Sequence, residues 1–302
     1  MSGKADSLKS IMYALAANFA IAVAKAIAAF LTNSGSMLAE AIHSLADCGN
    51  QGLLLWGVKH AKRPPDENHP LGYGKSIYFW SFIVALMLFS VGGLFSVYEG
   101  VHKLQSREAM ASPWIAIGVL VFSVITESLS MAACVAEVNK VRNGRNFLQW
   151  FRETRQSDLM VIFGEDLAAL CGLVVALTAI TLTMLTGNPV FDAAGSIVIG
   201  LLLLVVAYML ATEVKDLIIG QGVEPALRDE MWQFLEQQPE VERLFNLLTM
   251  QLGEDVMVAV KAQMRPAASD LALIEAINAV EQRFRSRYGS VIWCFFEPDF
   301  QD

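Results

Sequence analysis

Residues 36–57 form the stretch SMLAEAIHSLADCGNQGLLLWG, which is mostly apolar and carries His43 and Asp47 four residues apart. A helix brings positions i and i+4 onto one face, so the imidazole and the carboxylate would point the same way. The stretch is long enough to cross a bilayer, and ionisable groups at that depth usually lie on ion or proton pathways. Such a pair suits a borderline divalent cation such as Zn²⁺. The alternative is a histidine that packs between helices with Asp47 as its hydrogen-bond partner.

The composition is that of an integral membrane protein. Of the 302 residues, 55% are hydrophobic and 17% are charged, whereas about a quarter of a soluble domain is charged. The net charge of −8 and the lack of a basic stripe argue against nucleic-acid binding. Six segments supply the roughly 20 apolar residues that a spanning helix needs. They are residues 10–32, 36–58, 77–100, 113–136, 158–186 and 189–211.

Basic residues are unevenly distributed over the links between these segments. The links after the second and fourth segments and both flanks of the bundle are basic, whereas the links after the first and fifth are uncharged. Lys103 and Arg107, after the third segment, argue weakly against this division. The positive-inside rule then predicts that both termini are cytoplasmic. The basic residues on that side are Lys4, Lys9, Lys59, Lys62, Arg63, Lys75, Lys140, Arg142, Arg145, Arg152, Arg155 and Lys215.

After residue 215 the pattern changes to that of a small soluble domain. Two stretches have the apolar spacing of amphipathic helices, and three alternate like strands. Their order, α-β-β-α-β, indicates an α+β sandwich in which two helices cover one sheet. We therefore expect an all-α transmembrane domain of six helices at 1–215 and a cytoplasmic α+β domain at 216–302. The five stretches are residues 224–238, 241–252, 255–265, 270–288 and 290–296.

The fifth segment holds a second cluster, in which Glu165 and Asp166 are adjacent within FGEDLAALCGLVVAL. Adjacent helical residues diverge by about 100°, so both cannot point squarely at one ion. One carboxylate is the better metal ligand and the other could carry a proton or pair with a cation; the spacing leaves open which. Asp47 lies at a similar depth, so a site shared by the second and fifth helices is possible. Two carboxylates at a frayed cytoplasmic helix end are the alternative.

Five further polar residues could form a proton relay or line the ion path. Asn50 and Gln51 extend the second segment towards the cytoplasm and could line the path or hydrogen-bond a metal ligand. Glu40 lies one helical turn from His43 on the outer side and could mark the outer mouth of the path. Glu127 lies near mid-membrane in the fourth segment. Lys25 is costly in a membrane if unpaired. It could pair with Glu40 and change partner as the site loads, or it could snorkel to the outer interface.

Two other places carry weaker signals. Asp66 and His69 stand within one glycine-rich link, DENHPLGYGK, which alone is a weak metal-binding signal. Asp192, at the start of the sixth segment, could cap that helix or line the outer exit.

Taken together, these motifs resemble the cation diffusion facilitator (zinc transporter) family. The resemblance covers nearly the whole chain and is carried by AEAIHSLADCGNQ, HPLGYGK, DAAGSIVIGLLLL and the α-β-β-α-β tail. Within the family, the motif ED followed by LAALCG in the fifth segment resembles the branch that contains the mitochondrial zinc exporter and its bacterial relatives. The resemblance implies a transporter rather than an enzyme, and a homodimer with a ferredoxin-like tail. His43 and Asp47 match the ligands that the family places in its second helix.

The fifth segment departs from the family pattern. Most members have a second ligand four residues after the first, but here Ala169 follows Glu165 and Ile162 precedes Asp166 at that spacing. Only one or two carboxylates thus stand where two ligands are expected, which bears on coordination number and ion preference.

Two cytoplasmic parts depart as well. Many bacterial members have a histidine where Tyr73 stands, so we expect that a loop metal site on Asp66 and His69 is lost. The family's binuclear zinc site in the tail needs histidine ligands, but all four histidines here precede residue 103. We therefore expect the tail to dimerise without bound metal, and Cys294, Glu297 and Asp299 near the final strand are the alternative metal ligands.

The sequence thus predicts exchange of Zn²⁺ for protons by alternating access around a site between the second and fifth helices, without a cofactor. Mn²⁺ or Fe²⁺ is the alternative cargo, because oxygen donors favour Mn²⁺. A membrane adaptor with a vestigial site is the second alternative. The compact chain favours a bacterial inner membrane, and an organelle membrane is the alternative. The expected partners are lipid, metal ion, protons and a second copy of the chain.

Overall fold

The computed structural model describes the backbone of residues 3–106 and 112–301, with side chains from residue 18 onward. The side chains of Lys4 and Lys9 and the whole of Arg107, which entered the topology prediction, lie outside the described residues. The chain divides into two compact units. The first comprises Met1–Trp56, Trp80–Arg145 and Asp158–Glu213, and the second comprises Gly57–Phe79, Asn146–Ser157 and Val214–Asp302.

Each of the six apolar segments is helical, which is expected because lipid offers no hydrogen-bond partner to an open backbone. The third segment is one continuous helix that contains a π-helical turn, at Leu88–Leu94. In chain order the helices are α1 (Gly3–Thr32), α2 (Gly35–Ala61), α3 (Ser76–Met87), α4 (Phe95–Ser106), α5 (Pro113–Val141), α6 (Phe147–Glu153), α7 (Ser157–Thr186) and α8 (Val190–Ile219).

Four helices in the described part of the chain are long and apolar enough to cross a membrane. The described apolar part of α1, Asn18–Thr32, is shorter, and α2 carries polar side chains along its length. The protein therefore has a helical membrane domain with four apolar helices, and the count of six spans stays a prediction. The four are Ser76–Ser106, Pro113–Val141, Ser157–Thr186 and Val190–Ile219.

The start of α2 is held by a carboxylate from α8. Asp192 accepts hydrogen bonds from Ser34 Oγ at 2.6 Å, Gly35 N at 2.6 Å and Ser36 N at 3.2 Å, and it is buried. A helix N-terminus exposes unbonded N–H groups and the positive end of its dipole, so a carboxylate stabilises it. Asp192 thus caps α2, whereas its position in the sequence predicted a cap for its own helix or a place at the outer exit.

We expect Asp192→Ala to lower the free energy of unfolding by about 3 kcal/mol, because buried donors lose a charged acceptor. Thermal unfolding of the purified protein in detergent measures this change. Asp216→Ala is the control, since that carboxylate is 45% exposed and pairs with the adjacent Lys215. Equal unfolding temperatures for the two variants would contradict the capping role.

The tail has the predicted element order. Helix α9 (Pro225–Glu236) precedes β1 (Val241–Leu252) and β2 (Asp255–Met264), and α10 (Asp270–Arg287) precedes β3 (Val291–Pro298). The sheet order is β1-β2-β3, with β1 and β2 antiparallel and β2 and β3 parallel. Along β2 every second residue is buried, as expected for a strand with one covered face. Helices α9 and α10 contact each other, β1 and β3, and share one apolar core with the sheet.

The turn between β1 and β2 contacts the start of α3 within the second unit. Gly253 adopts a φ of 74° and donates its N–H to the hydroxyl of buried Tyr78 at 3.0 Å. Gly74 lies so close to the carbonyl of Leu252 that a Cβ atom would not fit there. The tail and the link between α2 and α3 are therefore packed together through backbone as well as side-chain contacts.

Candidate metal site

His43 and Asp47 lie on one face of α2, as their spacing predicts. Their closest atoms, His43 Nδ1 and Asp47 Oδ1, are 3.5 Å apart. Neither ring nitrogen of the buried His43 has a hydrogen-bond partner among the described residues. The alternative of a helix-packing histidine lacks the hydrogen bond that it requires. A buried polar atom left without a partner is unfavourable, and a bound cation would satisfy these atoms.

Glu165 and Asp166 point to different neighbours, as adjacent positions of α7 must. Glu165 is buried and its Oε1 accepts a hydrogen bond from Asn50 Nδ2 of α2 at 2.5 Å. Asp166 Oδ2 accepts one from Ser130 Oγ of α5 at 3.1 Å. Of the two carboxylates, Glu165 is the one directed towards the helix that carries His43.

Carboxylates from three helices line one small cavity in the first unit. Its volume is about 30 Å³, which is room for one or two water molecules or a single ion. Such a concentration of negative charge in a confined space attracts cations. The lining residues are Asn18, Ile21, Ser44, Asp47, Gln51, Glu127, Ser130, Ile162, Glu165 and Asp166.

The cavity does not contain a preformed chelate. Across residues 18–106 and 112–301, no three side chains of His, Cys, Asp or Glu stand close enough together to hold a metal ion. The predicted ligands His43, Asp47, Glu165 and Asp166 therefore meet only in part: the first two are paired, and the last three share the cavity wall. A bound ion would have to draw them together.

Lys25 forms a buried ion pair beside the cavity. Its Nζ lies 3.3 Å from Glu40 Oε2 and donates to Ser44 Oγ at 2.7 Å. Lys25 and Glu40 are both fully buried, so the alternative of a snorkelling lysine is wrong. Glu127 lines the cavity, and Gln51, whose Oε1 accepts a hydrogen bond from Asn18 Nδ2 at 3.4 Å, does so as well. Their roles as relay or path residues stay predictions.

The carboxylate of Asp66 is occupied by its own loop. It accepts hydrogen bonds from the backbone of Asn68 and His69, at 3.0 and 2.8 Å, and from the Tyr73 hydroxyl at 2.6 Å. The Tyr73 hydrogen bond lowers the pKa of Asp66, and the same contact raises the pKa of Tyr73. His69 Nδ1 lies 3.4 Å from Asp66 Oδ1, and both side chains are half-exposed. Tyr73 thus serves the turn, which is consistent with a loop built for structure.

A protein-family model for the cation efflux transmembrane domain matches residues 11–219. This chain is 32% identical to the mitochondrial proton-coupled zinc antiporter SLC30A9 of Mus musculus over 247 residues, which are 81% of this chain. It is 29% identical over 249 residues to metal tolerance protein C4 of Arabidopsis thaliana. These alignments span 44% and 54% of the relatives' lengths. Magnetosome protein MamB of Magnetospirillum gryphiswaldense is 24% identical over 91% of this chain and 88% of its own.

Proposed function

Because this chain belongs to the cation efflux family, and is thus a transporter rather than an enzyme, we propose that it exports Zn²⁺ in exchange for protons. The observation that carries the proposal is the buried His43, with both ring nitrogens unpartnered within the described residues, next to Asp47. The zinc antiporter named among the relatives supports the choice of cargo and of counter-ion.

The exchange follows from the chemistry of the ligands. His43, Asp47 and Glu165 bind a cation only when the imidazole is neutral and the carboxylates are ionised, so protons and metal compete for the same atoms. Metal would enter from the neutral cytoplasm, and a lower pH outside would release it and load protons for the return. The proposed proton route runs through residues near this site, namely Lys25, Glu40 and Glu127. The proposed cytoplasmic path of the ion is lined by Asn50 and Gln51.

The remaining architecture is proposed to match this activity. α1 and α2 join the four apolar helices as spans, which gives six helices at 1–215 and places both termini in the cytoplasm. Residues 216–302 then form a ferredoxin-like domain through which two copies assemble. A bacterial inner membrane is the proposed location, supported by the bacterial relative MamB, which aligns over 88% of its own length.

A second candidate cargo is Mn²⁺ or Fe²⁺. The cavity wall is rich in carboxylate oxygens and contains no sulfur atom among its lining residues in the described chain, and oxygen donors suit Mn²⁺. The relatives named as a metal tolerance protein and a magnetosome protein leave the cargo of this chain open.

Transport by the purified full chain in proteoliposomes tests the proposal. We expect Zn²⁺ to accumulate inside vesicles whose lumen is more acidic than the bath, and accumulation to fall to the leak level when the pH gradient is collapsed. Mn²⁺ and Fe²⁺ are offered in parallel to settle the cargo. Absence of flux for all three ions from a folded, reconstituted protein would contradict transport and favour an adaptor.

A further inference from the structure

The carboxylate of Glu127 lines the cavity of the proposed site without being held by a neighbour. Within the described residues Glu127 makes no hydrogen bond and no ion pair, although its side chain is partly buried and belongs to the apolar helix α5. It stands three residues before Ser130, which lines the same cavity, so one face of α5 is turned towards the site. An ionised group at this depth is costly unless a cation or a proton joins it.

The carboxylates on the cavity wall differ in how far their oxygens are already engaged. Glu165 Oε1 accepts a hydrogen bond from an amide of α2 at 2.5 Å, and Asp166 Oδ2 accepts one from a hydroxyl of α5 at 3.1 Å. Asp47 resembles Glu127 instead, because its buried Oδ1 has no hydrogen-bond partner among the described residues. Asp47 and Glu127 are therefore the wall carboxylates with the most oxygen atoms left for a cation.

Negative charges are crowded around Asp47. Its carboxylate lies within electrostatic range of both Glu165 and Glu127, and like charges repel one another strongly where the dielectric constant is low. The ammonium group of Lys25 offsets this repulsion only in part, because it is engaged 3.3 Å from Glu40 Oε2. A divalent cation bound by the three carboxylates would turn the repulsion into attraction.

The ligand set of the proposed site is one short without Glu127. Zinc sites hold the ion with four ligands, and His43, Asp47 and Glu165 provide three. Asp47 joins the two parts of this set, because it lines the cavity and its Oδ1 lies 3.5 Å from Nδ1 of His43. That imidazole is buried and unpartnered within the described residues. The two positions of α7 at the spacing of a further ligand hold alanine and isoleucine, which have no donor atom.

We propose that Glu127 is the fourth ligand of the transported ion, so that α2, α5 and α7 all contribute to the site. The inference rests on the proposed function, since it names a ligand of the same site. Glu127 has no hydrogen bond to lose among the described residues, so its carboxylate can rotate towards an ion that draws the ligands together. Protons and metal compete for such a ligand, so Glu127 would still carry a proton on the return.

This ligand set has a consequence for ion preference. One imidazole nitrogen and three carboxylates form a harder donor set than the nitrogen and sulfur ligands of structural zinc sites. The site should therefore bind Mn²⁺ measurably alongside Zn²⁺, and a softer group at position 127 should increase the preference for Zn²⁺.

Equilibrium titration of the full-length protein with Zn²⁺ in detergent, without a pH gradient, separates a ligand from a residue that only carries protons. At alkaline pH, where protons compete least, we expect Glu127→Gln to weaken Zn²⁺ binding at least about tenfold. Asp166→Asn is the matched control and should have a smaller effect, because it removes one charge from the same cavity wall but no proposed ligand. Thermal unfolding verifies that both variants are folded. A loss in Glu127→Gln no greater than that in Asp166→Asn would overturn the proposal.

X-ray absorption spectroscopy of the protein loaded with one Zn²⁺ per protomer tests the position directly, because coordinated imidazole rings give a distinct multiple-scattering signal. We expect one ring on the ion in the wild type and two in Glu127→His, together with a raised Zn²⁺ to Mn²⁺ affinity ratio. Glu137→His is the control on the same helix and should show one ring, since Glu137 is 59% exposed and pairs with Lys140. One ring in a zinc-loaded Glu127→His protein would contradict the ligand role.

The same spectra distinguish failure of this inference from failure of the proposed function. Removing His43 should abolish the imidazole signal of the wild type. If His43→Ala keeps that signal, the ion is bound elsewhere, and the proposed site is wrong together with its fourth ligand. If His43→Ala loses the signal while the Glu127 variants behave as the wild type, the site stands and only the fourth ligand is wrong.

Discussion

Replacing His43 by alanine is expected to reduce proton-driven Zn²⁺ flux by at least about a hundredfold, the upper end of the loss seen when a residue that merely supports a metal ligand is removed. His43 provides the sole nitrogen of the proposed ligand set, and its ring is fully buried beside Asp47. Flux into proteoliposomes with an acidic lumen measures the effect. Asp47→Ala is expected to have the same result.

The fold should survive the change at His43. Neither ring nitrogen makes a hydrogen bond within the described residues. Alanine therefore removes packing contacts but leaves no polar partner without its hydrogen bond. The control is His102→Ala, because His102 is exposed and has no proposed role. Thermal unfolding in detergent verifies that each variant is folded. Wild-type flux through a folded His43→Ala protein would contradict the assignment of His43 as a ligand of the transported ion.

The second large effect concerns the buried pair of Lys25 and Glu40. Lys25→Met should lower the free energy of unfolding by about 3–5 kcal/mol, because it leaves a buried carboxylate without its counter-charge. The double variant Lys25→Met with Glu40→Gln should recover most of this loss, since no isolated charge then remains. Thermal unfolding of the three proteins in detergent gives both numbers.

A surface lysine offers the comparison for that measurement. Lys215 is 56% exposed and pairs with Asp216, and exposed pairs contribute about 0–1 kcal/mol. Lys215→Met should therefore leave stability nearly unchanged. If Lys25→Met is no more harmful than Lys215→Met, or if the double variant is no better than the single one, the ion pair is not what stabilises this part of the bundle.

The elements of the fold were predictable because each leaves a local signal. Apolar runs separated by basic or small-residue links predict the helices, and alternation on either side of Gly253 predicts the β1–β2 hairpin. The span count was harder. The polar stripe that makes α2 the candidate transport helix also lowers its hydropathy, so the residues that indicate function weaken the evidence that the helix crosses the membrane.

The site was predictable only as far as a single helix determines it. Spacing alone places His43 and Asp47 on one face of α2. The choice between Glu165 and Asp166 depends on the rotation of α7, which packing against Asn50 and Ser130 sets, and no local pattern encodes that rotation.

The cap at the start of α2 has a consequence for how the chain matures. Ser34 and Gly35 are bound by a side chain that lies more than 150 positions later, at Asp192. A nascent first hairpin therefore lacks this acceptor for Ser34 and Gly35 until α8 leaves the ribosome and docks. The turn beside the transport helix would then be among the last parts to become ordered during biogenesis, and a chain truncated before residue 192 would keep it loose.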